Sequence, residues 1–103
     1  MFEIDGRKFE LTYTIGKVKA IESVMGGALL PVIVHGILMP PIETLQTILM
    51  YGMREIGGSD SMSVEEAEAV AEKVICAYGV VDPMKAAVEA LRRDCGFLFL
   101  VNS

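Results

Sequence analysis

Four carboxylates on one predicted helix come closest to a chemical constellation in this sequence. Paired carboxylates can bind a cation or serve as general acid and base. Here they stand at the start of the helix, where the helix dipole favours negative charge, and no His or Asp stands at ligand spacing beside them. Segment 60–68 also lacks the glycine and the alternating ligands of a calcium loop. We therefore interpret the group as a solvated acidic face, whose members are Glu65, Glu66, Glu68 and Glu72.

Nucleophilic and phosphate-binding residue types are present but isolated. Cys76 and Cys95 lie within or at the end of apolar helical patterns and form no CxxC pair, which predicts two buried thiols. His35 lies on an apolar segment without a Cys, Ser or Asp motif to complete a nucleophile, so we interpret it as a structural histidine. The glycine pairs at 26–27 and 57–58 do not lead into Lys-Ser/Thr, as a phosphate-binding loop would. The sequence therefore predicts no enzymatic activity, catalytic residue, bound metal or cofactor.

The composition indicates a small, acidic, apolar-rich domain. The chain has 103 residues, 52% of them hydrophobic, and a formal net charge of −5. This length predicts a single domain over residues 1–103. The acidic balance argues against a nucleic-acid binder, which concentrates Lys and Arg on one face. We interpret the charge as serving solubility, with a basic partner as the alternative.

Apolar runs in the sequence are too interrupted to cross a bilayer. The longest candidate, 29–42, contains three prolines, a histidine and a glycine. The first residues have no basic region before an apolar stretch, so they do not form a signal peptide. We expect a cytosolic protein that is not secreted and has no membrane partner. Its surplus of apolar residues points to a protein partner or to self-association.

The first thirteen residues carry the pattern of a β-hairpin. Asp5 and Gly6 are a preferred pair for a two-residue type I′ turn. That turn sets residues 2, 3 and 4 opposite residues 9, 8 and 7. A lone hairpin is marginal in water, so this one must lie on the helices that follow. The face that packs on them is predicted to be apolar and contains Phe2, Ile4, Phe9, Leu11 and Tyr13.

Helical periodicity and capping residues predict most of the other elements. Ser63 and Glu66 have the spacing of a capping box, in which each side chain bonds the amide of the other residue. Asp82 and Pro83 suit an N-cap and a first-turn proline. The predicted helices cover Ile15–Met25, Ile42–Ile56, Val64–Tyr78 and Pro83–Cys95.

The segment Leu29–Met39 is compatible with either a helix or a strand. Its β-branched residues 32–34 suit a strand, whereas Pro31 suits the first turn of a short helix. We favour the helix because Pro31 and Gly36 would disturb a strand ladder. Together the elements predict an α+β, mainly helical fold, with an N-terminal hairpin packed on about four or five helices.

Two features are candidates for a partner or self-association surface. Tyr51 projects away from the apolar stripe of its helix, so it is either a scattered surface residue or a contact. The C-terminal segment is wholly apolar, and it forms either a strand that joins the hairpin or a tail that a partner covers. We favour the interaction surface for this segment, which contains Phe97, Leu98, Phe99, Leu100 and Val101.

Methionine is abundant, with seven residues in the chain. Those on apolar helical faces either fill the core or form an adaptable binding groove, because methionine side chains repack around different partners. The methionines in question are Met25, Met39, Met50 and Met53.

The order of elements resembles the tail assembly chaperones of long-tailed phages, prophages and gene transfer agents. The similar segments are the EIDGR hairpin at 3–7, TIGKVKAIE at 14–22, TILMYGMR at 47–54 and SVEEA at 63–67. The resemblance implies an assembly factor that binds the tape measure protein and keeps it soluble while tail tube protein polymerises around it. It implies no catalytic residues, and a longer product made by ribosomal frameshifting is common in such families.

Two other classes of protein fit the composition. One is a self-associating structural component of a phage-like particle, although a tail-tube subunit is expected to be richer in strands. The other is a small regulatory protein-interaction module such as an antitoxin, for which a basic DNA-binding patch is expected and is not seen in this sequence.

Overall fold

A computed structural model of the chain describes residues 1–34, 40–58 and 62–100. Within these ranges the fold is α+β and mainly helical, with five α-helices and one three-stranded antiparallel sheet of order β1-β2-β3, which confirms the predicted fold class. The elements are β1 Phe2–Ile4, β2 Arg7–Leu11, α1 Ile15–Met25, α2 Leu30–Val34, α3 Ile42–Gly52, β3 Met53–Glu55, α4 Val64–Tyr78, α5 Val81–Asp94 and a C-terminal 3-10 helix Gly96–Phe99.

The N-terminal hairpin has the predicted turn and register. Asp5 and Gly6 have φ values of 51° and 78°, and a type I′ turn requires a positive φ at both positions. Phe2, Glu3 and Ile4 lie opposite Phe9, Lys8 and Arg7. All five residues of the predicted apolar face are buried in the core, which also contains side chains of the helices: Ile21, Leu45, Ile48, Leu49, Val74 and Leu91.

The central helix is four residues shorter than the periodicity predicts. It ends at Gly52, and residues 53–55 form β3 against the second edge of β2, so the predicted continuation to Ile56 is wrong. The Thr12 amide donates to the Gly52 carbonyl at 2.9 Å, and the Ile56 amide donates to the Lys8 carbonyl at 2.8 Å. The strand prevails because it pairs backbone groups along β2 that a continued helix would leave without partners.

Helix α1 has the predicted bounds and closes at Gly26, whose φ of 75° is the left-handed conformation of a helix cap. Helix α2 confirms the helical interpretation for residues 30–34. Residues 35–39 of that predicted segment, which include His35 and Met39, lie outside the described residues. The first helix and the helical interpretation of residues 30–34 could therefore be predicted from local sequence alone.

The outer edge of β1 is covered by helix α4. The Tyr78 hydroxyl accepts a hydrogen bond from the Glu3 amide at 2.9 Å and donates to the Glu3 carbonyl at 3.3 Å. The Tyr78 ring packs edge-on against Phe2, with centroids 5.0 Å apart. One tyrosine thus satisfies backbone groups that would otherwise offer the edge to another strand.

The last two helices differ from the prediction in two details. Helix α5 begins at Val81 with Val80 at its N-cap, so Asp82 and Pro83 lie inside its first turn. Cys95 is buried as expected, but Cys76 is exposed on α4, and the prediction of two buried thiols is wrong for it. Cys76 immediately follows the half-buried Ile75 on α4, and one helical step of about 100° moves a side chain from the core boundary to the solvent.

Helix α4 begins at the predicted cap, but only half of the capping box forms. The Ser63 hydroxyl accepts from the Glu66 amide at 3.1 Å. The Glu66 carboxylate accepts from Arg7 at 2.7 Å instead of reaching back to Ser63. A cation from the hairpin therefore takes the place of the backbone amide that local sequence predicts.

Replacing the cap tests its contribution. Ser63→Ala is expected to lower the free energy of unfolding by about 1 kcal/mol, because the Glu66 amide loses its acceptor. Urea denaturation should show a lower midpoint with an unchanged slope. Ser23→Ala, on the exposed side of α1, is the matched control and should change stability by less than about 0.5 kcal/mol. Equal midpoints for wild type and Ser63→Ala would contradict the prediction.

Candidate functional site

The described residues contain no group suited to hold a metal ion. No cluster of three or more His, Cys, Asp or Glu side chains is found in residues 1–34, 40–58 and 62–100. The four glutamates of α4 are exposed, as the sequence predicts. Among the helices of those same ranges, none has the length and apolar character needed to cross a membrane.

A cleft of about 450 Å³ lies beside β3, between the end of α3 and the start of α4. We call it the methionine cleft, because three of the chain's seven methionines line it. Met53 is buried, whereas Met50 and Met62 are half-buried and pack against the core. The other apolar side chains that line it are Tyr51, Val64 and Ala67.

The turn from α3 into β3 builds this cleft. Because the helix stops at Gly52, Met50 and Tyr51 come from its last turn, while Met53 starts the strand next to them. The chain returns to the same place at Met62, directly before the Ser63 cap of α4. The sequence identifies Met50 and Met53 as residues that either fill the core or form a groove. Met62 is not among them.

A local signal exists for Met62. It occupies the position before the N-cap of α4, and Ala67 is the fourth residue of that helix. An apolar pair at these two positions is the hydrophobic staple, which fixes the angle at which a chain enters a helix. Both residues line the methionine cleft. The staple therefore indicates a packed Met62, but it does not indicate that the contact borders a cleft.

The predicted surface residues lie in two separate places. Tyr51 is half-buried and forms part of the cleft wall. Residues 97–100 do not line this cleft, and Val101 lies outside the described residues. The Tyr51 side chain thus packs on the core and also faces an open cleft.

The C-terminal segment forms a 3-10 helix, so its interpretation as a strand is wrong for residues 97–99. Its place beside β2 is taken by β3. Leu98 and Phe99 are half-buried against the core, and the Arg92 guanidinium lies 4.4 Å from the centroid of the Phe99 ring. Phe97 and Leu100 are 46% and 77% exposed. The segment therefore divides into two anchoring side chains and two that face outward.

Glu55, the acidic side chain that lines the cleft, is bound by a cation of the hairpin. Glu55 accepts two hydrogen bonds from Arg7, at 2.7 and 3.1 Å. The same guanidinium donates to Glu66 at 2.7 Å. These hydrogen bonds from Arg7 lower the pKa of the Glu55 carboxyl. Glu55 therefore stays ionised and engaged, and it contributes little attraction for a cation in the cleft.

Two cations stand at the rim of the cleft. The Lys17 ammonium donates to the Thr12 carbonyl at 3.1 Å and to the Thr12 hydroxyl at 3.3 Å, which are both neutral oxygens. Arg54 lies 3.8 Å from Glu10, and the Arg54 side chain is 69% exposed. Partial burial, followed by the charge of Arg54, lowers the pKa of Lys17. The rim is thus basic in a chain with a net charge of −5.

Asp94 does not line the cleft, but its charge acts on Lys17 at the rim, and it joins the end of α5 to the hairpin. Its carboxylate accepts from the Tyr13 amide at 3.0 Å and from Arg93 at 2.8 Å. The hydrogen bonds from Arg93, and then the one from Tyr13, lower the pKa of Asp94 to about 2. A carboxyl with a depressed folded-state pKa stabilises the fold above its unfolded-state pKa, and the contribution disappears as the pH falls toward the folded-state value.

This linkage predicts an acid-dependent loss of stability. Between about pH 4 and pH 2, wild type should lose free energy of unfolding that Asp94→Asn does not lose. The difference between the two proteins should therefore shrink across that window in urea melts at stepped pH. Asp82→Asn, at the exposed first turn of α5, is the control and should follow wild type. A constant difference between wild type and Asp94→Asn at every pH would refute the linkage.

No protein-family model, curated protein or solved structure matches this chain. Three features of the described residues bear on function: the methionine cleft, its basic rim and the exposed C-terminal side chains. The similarity of the element order to tail assembly chaperones stays a prediction from the sequence.

Proposed function

We propose that the protein is a phage or prophage tail assembly chaperone, which binds the tape measure protein in the bacterial cytoplasm and keeps it soluble during tail tube assembly. The observation that carries the proposal is the methionine cleft, where Met50, Met62 and Tyr51 are half-buried around an open space. A chaperone must accept apolar segments of varied shape, and flexible methionines provide an adaptable surface for them. The order of the elements supports the same function.

The charge of the chain fits this role. A bound apolar segment is removed from water and cannot pair with other copies of itself. The complex then carries the net charge of −5, which opposes association between complexes. The exposed Phe97 and Leu100 provide a second surface, which we assign to self-association or to tail tube protein.

Co-expression with the tape measure protein of the same genome tests the function. Wild-type chain should raise the soluble fraction of the tape measure protein. Met62→Asp, which places a carboxylate in the cleft, should give a smaller soluble fraction than wild type does. Val24→Asp is the matched control, because Val24 is 59% exposed and does not line the cleft. Both variants should keep a cooperative thermal melt. A tape measure protein that is equally soluble with and without the wild-type chain would refute the proposal.

A second candidate function is a self-associating component of a phage-like particle. The observation in its favour is the outward-facing pair Phe97 and Leu100. The double substitution Phe97→Ser and Leu100→Ser is expected to lower the mass measured by light scattering while changing stability by less than about 0.5 kcal/mol per site. Leu98→Ser is the contrasting variant, since Leu98 packs against the core and its loss should destabilise the protein. An unchanged mass in the double variant would exclude this pair as a self-association surface.

A further inference from the structure

The methionine cleft runs along a free edge of the sheet. Successive residues of a strand point to opposite faces, yet Met53, Arg54 and Glu55 all line the cleft, so it follows the edge of β3 rather than one face. In the sheet order β1-β2-β3, no described strand lies beyond β3. The opposite edge, at β1, is covered by the Tyr78 hydroxyl. Within the part of the chain that the structure describes, the β3 edge is therefore the one without a further covering element, and the cleft lies along it.

The two sides of this edge differ in chemistry. On the side of Met53, which is the core face of the sheet, the cleft is lined by methionine side chains and by the Glu55 carboxylate. On the side of Arg54, which lies opposite Glu10 on the outer face, the rim carries the charges of Arg54 and Lys17. Glu55 is bound by Arg7, and the carboxylate nearest Arg54 is Glu10, at 3.8 Å across an exposed pair. An added strand would therefore meet apolar groups with one face and cations with the other.

We propose that the methionine cleft binds an extended, acidic and apolar segment of a partner polypeptide as a fourth strand beside β3. Its apolar side chains lie on Met50, Met53 and Met62, and its carboxylates face Lys17 and Arg54. Pairing of main-chain groups provides affinity, and the alternation of side chains provides specificity. The inference rests on the proposed function for its biological partner, and it adds the conformation and charge of the segment that is bound.

Charge complementarity selects this occupant. Lys17 and Arg54 repel each other, and the pKa of Lys17 is lowered by its partial burial and then by that repulsion. The attraction of Asp94 raises this pKa by less than Arg54 lowers it, and Glu10 lies 3.8 Å from Arg54 at an exposed site. A carboxylate placed between them relieves that repulsion. A basic segment would add a third like charge and would be disfavoured. The rim thus favours an acidic segment, whereas the net negative charge of the whole chain would favour a basic one.

Methyl NMR with two designed peptides tests the inference without the tape measure protein. The first is a short peptide of alternating leucine and glutamate, and the second has lysine in place of glutamate. The methyl signals of Met50, Met53 and Met62 should shift and saturate with the glutamate peptide only. Met84, buried on α5, provides the control signal and should not move. Added salt should weaken the binding, because the rim is exposed.

Charge reversal makes the test specific. Arg54→Glu is expected to weaken binding of the glutamate peptide by about tenfold or more and to permit binding of the lysine peptide. Lys85→Glu, on the exposed side of α5, is the matched control and should bind as wild type does. Equal binding of the two peptides by wild type would overturn the inference, and so would methionine signals that do not respond.

Other occupants give other results. Tighter binding of a peptide with the same residues at helical spacing would overturn the added strand. Cleft signals that shift with protein concentration alone would assign the cleft to a second copy.

The chaperone function and strand binding in the cleft can also fail separately. A tape measure protein that becomes soluble, with methionine signals that do not respond to the peptide, would support the chaperone function and refute strand binding in the cleft. Methionine signals that respond to the peptide, with a tape measure protein that stays insoluble, would support strand binding in the cleft and refute the chaperone function.

Discussion

Gly52→Ala is expected to destabilise the protein by about 3 kcal/mol, a large effect for the addition of one methyl group. A Cβ atom at this position would lie 2.6 Å from the Tyr13 hydroxyl oxygen and still closer to Cζ of the same ring. Tyr13 is only 3% exposed, and its hydroxyl donates to the Ile48 carbonyl at 2.8 Å, so the ring cannot move aside without losing that bond. The φ of Gly52 is not positive, so the effect is steric.

Gly16→Ala is the matched control for this substitution. Its Cβ would meet only the Thr14 hydroxyl oxygen, at an ordinary 3.7 Å. Because alanine favours the helix, this variant should be more stable by about 0.5–1 kcal/mol. Urea denaturation of both variants measures the contrast. A Gly52→Ala protein as stable as wild type would mean that Tyr13 and the end of α3 do not approach so closely.

The same substitution bears on the cleft. Gly52 lies between Tyr51 and Met53, both of which line it, and the Gly52 carbonyl accepts from Thr12. Displacement of Tyr13 would therefore disturb the turn from α3 into β3 and the strand edge that follows. We expect any folded Gly52→Ala protein to show altered methyl signals for Met50 and Met53.

Phe9→Ala is expected to lower the free energy of unfolding by about 4 kcal/mol. Phe9 lies in the central strand, is fully buried, and stands opposite Phe2 in β1 and Glu55 in β3. Its loss leaves a cavity between the sheet and the helices, and the guanidinium of Arg7, 5.1 Å from the ring centroid, loses its aromatic contact. For a domain of this size such a loss is a large fraction of the total stability.

Lys8→Ala provides the comparison on the same strand. Lys8 is exposed on the outer face, so its truncation should change stability by less than about 0.5 kcal/mol. Thermal melts of the two variants separate core packing from strand propensity, because alanine replaces a residue of β2 in both. Similar melting temperatures would contradict the placement of Phe9 in the core.

Local sequence determines the hairpin and most helix termini. Asp5 and Gly6 adopt the positive φ values of a type I′ turn, which sets the register of the whole hairpin. Gly26 and Ser63 mark helix ends through interactions within a few residues. Such signals act at short range, so they can be recognised in the sequence without knowledge of the fold.

Tertiary structure alone decides β3, the methionine cleft and the charges around it. Residues 53–56 continue a helical pattern, but the free edge of β2 offers them hydrogen bonds that no local signal announces. Arg7 takes the Glu66 carboxylate from its own capping box because the hairpin brings a cation beside it. The cleft exists only where the end of α3, the edge of β3 and the start of α4 meet. Propensity is worth a fraction of a kcal/mol per residue, and long-range pairing and burial outweigh it wherever the fold brings distant segments together.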